Sequence, residues 1–334
     1  MKILVAPDSF KECLSAEEAA YAIASGLSGP GLRVECLPLA DGGEGTAAIL
    51  TRALGGEIIS VNVTGPLGMP VTASYGRIGD MAVMDVASAC GLSLVPPSLR
   101  NPLHTTTRGV GELLKAAIEA GCRKIVIGLG GSATCDGGAG MMESLVECPA
   151  GVEIRALCDV ENPFLGPSGA ARVFGPQKGA GPAEVELLEE RMSGQAAAIL
   201  ARTGVDVSQM KGAGAAGGLG GALAACCGAE LRSGVDAVLD LVGFSRAAAG
   251  ADLIITGEGT SDIQTLSGKV PMGVLRRSGG IPVVLLSGRI RDAEALLAAG
   301  FSRLIQATPP DQPLSEALRP EVAKANLRLA VRGL

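Results

Sequence analysis

The sequence predicts an α/β fold with two domains. Alternating strand and helix patterns occupy both ends of the chain, whereas the middle opens with short strands joined by Gly/Pro turns. The 49 glycines among 334 residues follow no Gly-X-Y repeat, which indicates many strand-to-helix turns instead of long helical bundles. Because aromatic residues make up only 2%, we expect a core of Ala, Val, Leu and Ile.

Two strand–helix units begin the chain. Residues 2–6 are an apolar strand, and Ser15 followed by two glutamates predicts the N-terminus of a helix that ends near Leu27. Residues 34–39 form a second strand, which leads through a glycine-rich loop to a helix at 47–54. Both loops follow the C-terminal ends of strands, where open parallel sheets bind their ligands.

An inserted domain is predicted where the pattern changes. Short alternating strands at 57–64, 71–78 and 81–86 resemble a meander, and an amphipathic helix follows at 107–120. A buried strand then opens into a Gly/Ser/Thr loop within residues 125–140. The later predicted elements are a strand at 153–158 and helices at 182–203 and 217–227.

Three further buried strands, at 253–259, 281–288 and 301–308, follow the inserted segment. With the first two they make five parallel strands, and right-handed crossovers favour the order 2-1-3-4-5, which is a flavodoxin-like sheet. The predicted domains are residues 1–60 with 236–334, a discontinuous flavodoxin-like α/β domain, and residues 61–235, an inserted α/β domain.

Composition and charge exclude several classes of protein. A net charge of −6 argues against nucleic acid or an anionic membrane as partner, and no apolar run is long enough to span a bilayer. The nine cysteines form no CxxC pair, so neither a zinc site nor a disulfide framework is predicted, and a cytoplasmic location is expected. His104 is the single histidine, and a role in a loop or core is favoured over a Ser-His-Asp triad.

Polar clusters at strand ends and glycine turns indicate phosphate chemistry. Each cluster combines Asp or Glu with Gly, Ser/Thr, Lys or Arg, as phosphoryl transfer requires. The loop that follows strand 125–127 can bind an anion through backbone N–H groups, although it can equally be a tight strand-to-helix turn. No Walker A motif occurs. Residues 212–218 contain GxGxxG without a convincing preceding strand, so close packing or a second anion-binding turn is favoured over a nicotinamide site.

Eight motifs, in order, resemble those of the glycerate kinase type I family. They are DSFKECLSAEEAA, LADGGEGT, TGPLGMPV, NPLHTTTRGVGEL, IGLGGSATCDGGAGM, CDVENPFLGPSGAARVFGPQKGA, GAGAAGGLGGALAA and TGEGTSDIQTLSGKVP. The resemblance runs from Met1 to about Gly273. It implies ATP-dependent phosphorylation of D-glycerate with Mg²⁺, most simply at the 2-hydroxyl to give 2-phosphoglycerate. It also implies that the inserted domain is restriction-endonuclease-like, with a mixed sheet.

The resemblance carries over to individual residues of the polar loops. These are Asp8, Ser9, Lys11, Asp41, Gly42, Gly43, Glu44, Thr46, Thr105, Thr106, Thr107, Arg108, Gly130, Gly131, Ser132, Thr134, Asp136, Asp159, Asn162, Arg172, Lys178, Gly257, Glu258, Asp262, Gln264 and Lys269. We expect them to bind substrate and phosphate in an interdomain cleft, with the loop at Ser132 holding phosphates. Each acidic residue could instead cap a helix or stabilise a turn.

Roles for the charged residues are hypotheses. Asp8 or Asp159 is expected to accept the proton of the substrate hydroxyl. Three cations, Lys11, Arg172 and Lys178, are expected to hold anionic groups, one of them the glycerate carboxylate. Transfer is expected to be direct and in line, with no phosphoenzyme.

The metal site is also a hypothesis. Glu258, together with Asp262 or Asp41, is expected to hold Mg²⁺, because carboxylate oxygens are its usual protein ligands. The chain is expected to bind only small molecules, namely D-glycerate and ATP, and a homodimer is compatible with the sequence.

Three departures from the family pattern bear on activity. Cys135 stands where the family usually has asparagine, and Thr260 where it usually has arginine. Residues 145–154 are much shorter than the corresponding family segment. These departures leave open a non-catalytic sugar-acid sensor on the same fold, beside a kinase that forms 3-phosphoglycerate and a nicotinamide oxidoreductase.

Overall fold

The computed structural model describes residues 1–334, which divide into two compact units. Unit 1 comprises Met1–Asp41 and Val235–Leu334, and unit 2 comprises Gly42–Gly234. The first boundary lies earlier than the predicted position after residue 60. The reason is that strand β3 (Glu57–Thr64) pairs with the next strand over its whole length, so a boundary after residue 60 would cut through a hydrogen-bonded ladder.

Unit 1 contains a parallel sheet of five strands in the order β13-β11-β9-β1-β2. In chain order this is 2-1-3-4-5, so the predicted flavodoxin-like topology is confirmed. The strands are β1 (Lys2–Val5), β2 (Arg33–Cys36), β9 (Leu253–Thr256), β11 (Val283–Ser287) and β13 (Arg303–Gln306). A separate parallel pair joins β10 (Thr260–Ser261) to β12 (Arg289–Ile290).

The helices of unit 1 cover its parallel sheet. Ser15 caps α1 through a reciprocal capping box with Glu18, as the sequence predicts. Apolar residues of α1 and α14 form one core with the strands, including Ile23, Leu327 and Ile255. The helices are α1 (Ala16–Gly26), α9 (Gly234–Leu241), α10 (Phe244–Ala248), α11 (Val270–Arg276), α12 (Ala293–Ala298), α13 (Leu314–Ala317) and α14 (Pro320–Ala330).

Unit 2 contains a mixed sheet of six strands in the order β3-β4-β5-β6-β7-β8. The first three strands are antiparallel, and β5 to β8 are parallel, which confirms the predicted mixed sheet. After β3 the strands are β4 (Pro70–Ile78), β5 (Met81–Asp85), β6 (Lys124–Gly128), β7 (Glu153–Leu157) and β8 (Glu230–Arg232).

Seven helices pack around the mixed sheet. Helix α4 buries Val110, Leu113 and Leu114 in the core of unit 2, in agreement with its amphipathic pattern. No helix of the chain has the length and apolar character needed to cross a membrane. The helices are α2 (Thr46–Ala53), α3 (Ala87–Cys90), α4 (Arg108–Glu119), α5 (Ala139–Leu145), α6 (Ala170–Phe174), α7 (Pro182–Thr203) and α8 (Leu219–Cys227).

Candidate functional site

A pocket of about 280 Å³ lies at the C-terminal edge of the unit 1 sheet. Because parallel strands end at the same edge, loops distant in the sequence meet there. The polar side chains that line it follow successive strands: Asp8 and Lys11 after β1, Asp41 after β2, Glu258 and Lys269 after β9, Arg289 after β11 and Thr308 after β13. The structure thus brings together five residues expected at the site, namely Asp8, Lys11, Asp41, Glu258 and Lys269.

Asp8 is the buried acid of this pocket. Its side chain is 5% exposed, and its backbone N–H donates to the carbonyl of Gly257. Burial raises the pKa of Asp8 to about 7, and the nearby carboxylate of Asp41 raises it further, while the N–H of Ser9 and the charge of Lys11 oppose the rise. The carboxyl group can therefore exchange a proton near neutral pH.

Glu258 is held by a buried network of hydroxyl groups. Its Oε1 accepts hydrogen bonds from Thr265 at 2.6 Å and Ser261 at 3.1 Å, and its Oε2 lies 3.3 Å from the ammonium of Lys269. The hydroxyl of Ser261 also shares a 2.7 Å hydrogen bond with Ser287, at the end of β11. These contacts fix the Glu258 carboxylate in one orientation and place Lys269 beside it.

The three cations of the pocket differ in their partners. Lys11 is largely exposed and lies 3.6 Å from Asp41, and Lys269 pairs with Glu258. The guanidinium of Arg289 makes no hydrogen bond or ion pair. Arg289 is therefore the pocket cation whose charge no protein carboxylate neutralises.

Two other residues of the same loop lie elsewhere. Asp262 accepts the N–H of Gln264 at 2.9 Å and caps a short 3₁₀ segment, and Gln264 is exposed. Neither residue lines the pocket, although Thr260 does. The second carboxylate beside Glu258 is thus Asp41, one of the two alternatives expected for the metal site.

In unit 2, Asp136 organises the loop that follows β6. Its Oδ2 accepts hydrogen bonds from the N–H and the hydroxyl of Thr107 and from the N–H of Gly140, and its Oδ1 accepts the N–H of Gly138. The hydroxyl of Thr105 donates to the carbonyl of Ala133 at 3.0 Å. Many polar groups of the expected phosphate loop are therefore bonded to one another.

Lys178 is buried beneath the same loop. Its ammonium donates to the hydroxyl of Ser132 at 2.9 Å and to the carbonyl of Thr134 at 2.7 Å. Burial lowers the pKa of Lys178, and the neighbouring Cys135, Cys90 and Asp136 oppose this. The lysine thus places a positive charge directly under Ser132.

The loop at residues 42–46 lies against the same region of unit 2. A Cβ on Gly130 would come within 2.8 Å of the Cα of Gly43, so the two glycine loops need this close backbone contact. Asp85 accepts the N–H groups of Gly45 and Ala47 at the start of α2. The hydroxyl of Thr46 is buried there without a hydrogen-bond partner, and Glu44 is exposed.

The remaining expected residues of unit 2 lie at separate places. Arg172 forms a bidentate pair with Glu186, at 2.6 and 2.8 Å, on the surface. Asp159 accepts the N–H of Gly234 at 2.9 Å, and Asn162 donates to the carbonyl of Ser168. Near the loop after β6, Arg108 pairs with Glu112 and Glu143, and the Thr106 hydroxyl accepts the N–H of Arg108.

The glycine-rich segment 212–218 serves close packing. No strand precedes it, and a Cβ on Gly217 would lie 1.9 Å from the carbonyl oxygen of Thr134. A Cβ on Gly218 would meet Gly137 and Phe164 at 2.8 Å. The segment therefore seats the loop after β6 against α8, the packing role that the sequence favours over a nicotinamide site.

Several residues of the two sites were not among the expected ones. Arg289 joins the pocket because β12 pairs with β10, and Asp85 reaches the start of α2 from the end of β5. Ser261 and Ser287 support Glu258. The available signal was position, since Asp85, Ser287 and Arg289 all stand at or just beyond the C-terminal end of a parallel strand.

Comparison with known proteins places these sites in a family. A family model described as the glycerate kinase family matches residues 3–148 and 143–333. The chain is 45% identical to a glycerate kinase of Bacillus subtilis, over 95% of this chain and 93% of that protein. It is 43% identical to a glycerate 2-kinase of Escherichia coli, over 87% and 86%.

The fold comparison agrees with the sequence comparison. A crystal structure described as a candidate glycerate kinase 2 from Salmonella typhimurium LT2 has a TM-score of 0.86 and 42% sequence identity, covering 99% of this chain and 96% of that one. Matches of this extent include both units and all the loops described above. The chain therefore belongs to the glycerate kinase family.

Proposed function

We propose that the protein phosphorylates D-glycerate with ATP, at the 2-hydroxyl, to give 2-phosphoglycerate and ADP. The family supports kinase activity on glycerate, and the name of the Escherichia coli relative supports the 2-position. The single observation that carries the chemistry is the buried carboxyl of Asp8, whose pKa is raised to about 7 in a pocket at the C-terminal edge of the parallel sheet.

Asp8 acts as the general base in this proposal. A base is most effective when its pKa lies near the working pH, because it is then substantially ionised and still basic enough to accept a proton. Asp8 takes the proton of the attacking hydroxyl as the oxygen bonds to the γ-phosphorus and the bond to ADP breaks in line. Asp159, the alternative base, is exposed and bonded to the N–H of Gly234, so Asp8 is preferred.

The acidic side of the pocket fits Mg²⁺. Asp41 and Glu258 both raise the pKa of Asp8, so three carboxylates share a small volume with an excess of negative charge. Asp41 and Glu258 are the carboxylates that would hold the ion, together with phosphate oxygens and water. The chemistry that Mg²⁺ supplies when bound is neutralisation of charge on the β- and γ-phosphates.

The positive groups of the pocket complete its chemistry. Lys11, Lys269 and Arg289 are available to anionic substrates, because phosphate or carboxylate oxygens can replace or join their present partners. Fixed cations around the transferred phosphoryl group stabilise the charge that spreads over its oxygens in the transition state. Positioning and charge are thus supplied by side chains of one pocket.

A coupled assay tests the function. We expect ADP release that requires D-glycerate, with L-glycerate as the control substrate, and ³¹P NMR of the product should show 2-phosphoglycerate. A 3-phosphoglycerate signal would contradict the position of transfer. Binding of D-glycerate without ADP release would indicate a sensor, and D-glycerate-dependent reduction of NAD an oxidoreductase; either would contradict the proposal.

A further inference from the structure

The pocket of unit 1 has an apolar wall opposite its carboxylates. Phe10 and the C-terminal helices supply this wall: Leu314 and Ala317 belong to α13, Leu318 follows it, and Leu327 belongs to α14. Helix α14 packs beside α1 on one face of the sheet, so the wall lies to one side of the strand ends that carry Asp8 and Glu258. One pocket therefore combines an acidic end with an apolar end.

The apolar end suits only one part of the two substrates. D-glycerate has three carbons that carry a carboxylate and two hydroxyls, so it offers almost no surface that gains from apolar contact. The adenosine of ATP has a flat ring system that does, and binding pockets for such groups are lined by apolar side chains with a few polar ones. This reasoning rests on the proposed function, which supplies the two substrates.

A polar group is placed to recognise the edge of a purine. The amide nitrogen of Asn326 donates to Gln312 at 2.7 Å, which fixes the orientation of the side chain. Its Oδ1 accepts no hydrogen bond in the structure and can accept one from an exocyclic amine.

Arg289 supplies the charge that a nucleotide requires. Its guanidinium lacks a protein partner, whereas Lys11 and Lys269 each contact a carboxylate. Arg289 is the register partner of Thr260 across the β10–β12 pair, next to the loop that carries Glu258. A phosphate near Arg289 would thus lie on the carboxylate side of the pocket, where transfer is proposed.

We propose that this pocket is the nucleotide subsite, with adenosine against the wall formed by Phe10, Leu318 and Leu327, its amine edge at Asn326, and its phosphates held by Arg289. In this orientation the phosphate chain runs from the C-terminal helices toward Asp8.

Calorimetric titration of the full chain with Mg²⁺-ADP, without D-glycerate, tests the subsite. Leu318→Asn should weaken ADP binding about tenfold and leave binding of inorganic tripolyphosphate within about twofold. Arg289→Ala should weaken both ligands, by about tenfold or more. Leu329→Asn is the matched control, because Leu329 lies on α14, is exposed and does not line the pocket.

Two results would overturn the subsite: wild-type protein that does not bind ADP, or a Leu318→Asn variant that binds ADP like the Leu329→Asn control. If Leu318→Asn does not fold by circular dichroism, Leu314→Asn replaces it, because the 53% exposure of Leu314 makes a folding defect unnecessary. Failure of the proposed function is a different result, namely ADP binding with the expected variant pattern but no phosphorylation of D-glycerate.

Discussion

The Oδ2 atom of Asp136 accepts hydrogen bonds from both the backbone N–H and the hydroxyl of Thr107, at 2.9 and 2.8 Å. The same hydroxyl accepts the N–H of Met141 at 3.0 Å. Asp136 thus joins the start of α4 to the start of α5 and holds the loop that follows β6. Its carboxylate is engaged in maintaining the loop, whatever the loop binds.

We expect Asp136→Asn to destabilise unit 2 by about 2–3 kcal/mol, because an amide nitrogen would face N–H donors and leave some of them unsatisfied. Urea unfolding followed by circular dichroism measures the change. Asp80→Asn is the control, since Asp80 forms only an exposed pair with Lys124 and should change stability by less than about 1 kcal/mol. Equal losses for the two variants would contradict the role of Asp136.

The sequence predicts the strand order of unit 1 because the five buried strands are separated by helices, and right-handed crossovers then leave few topologies. The boundary near residue 41 could not be found this way. Helix α2 follows β2 as if it belonged to the first sheet, yet Asp85 of the second sheet binds its N-terminus. Such a contact has no local sequence signal.

The candidate site was predictable to the same degree. Asp8 and Glu258 follow apolar strands, which is a reliable signal for the ligand-binding edge of a parallel sheet. Arg289 was not predictable, because its place in the pocket depends on a two-residue strand pair that has no periodic pattern. Polar residues of the loop after β6 could equally bind a ligand or one another, and only the fold shows that Asp136 accepts neighbouring N–H groups.

The pH dependence of turnover should follow Asp8. The base must be ionised, and its pKa is raised to about 7, so kcat/KM for D-glycerate should rise with pH through about 7 and level off above it. Asp8→Asn should reduce kcat at least about 100-fold, while Asp311→Asn, an exposed acid of unit 1, should retain activity. A flat profile from pH 5.5 to 8.5 would contradict the assignment of the base.

Asp8→Asn should also make the protein more stable at pH 8. The folded-state pKa of Asp8, about 7, lies above the ordinary 3.8, so its protonated form is favoured in the folded state. The contribution of Asp8 to stability is complete below pH 3.8 and is lost as pH rises through about 7. At about 1.36 kcal/mol per pH unit, the loss approaches roughly 4 kcal/mol.

The measurement is the free energy of unfolding of wild type and Asp8→Asn from pH 4 to 8. The difference between them should grow with pH, in favour of the variant, while Asp311→Asn should follow wild type. A difference that stays constant across this range would show that the Asp8 carboxyl titrates as it does in the unfolded chain.

Lys178 should give the opposite slope on the alkaline side. Burial holds its pKa below the ordinary 10.5, so between the folded-state pKa and 10.5 the unfolded state binds more protons than the folded state. Stability therefore gains a positive term as pH rises through this window. In Lys178→Met this term is absent, and the stability of wild type relative to the variant should increase with pH up to about 10.5. Relative stabilities that do not change between pH 8 and 10.5 would contradict the burial of a charged lysine.

Gly217 and Gly204 separate steric contact from backbone strain. Both have positive φ, 69° and 75°, but a Cβ on Gly217 would lie 1.9 Å from the carbonyl oxygen of Thr134, whereas a Cβ on Gly204 would meet nothing within 4 Å. Gly204→Ala should therefore cost only the strain of the left-handed region, about 1–2 kcal/mol. Gly217→Ala should cost at least about 3 kcal/mol, because the loop after β6 must also move. Thermal unfolding of the two variants measures the contrast. If Gly217→Ala gives no soluble protein while Gly204→Ala does, the steric contact is supported. Equal melting temperatures would mean that segment 212–218 does not need its close approach to the Asp136 loop.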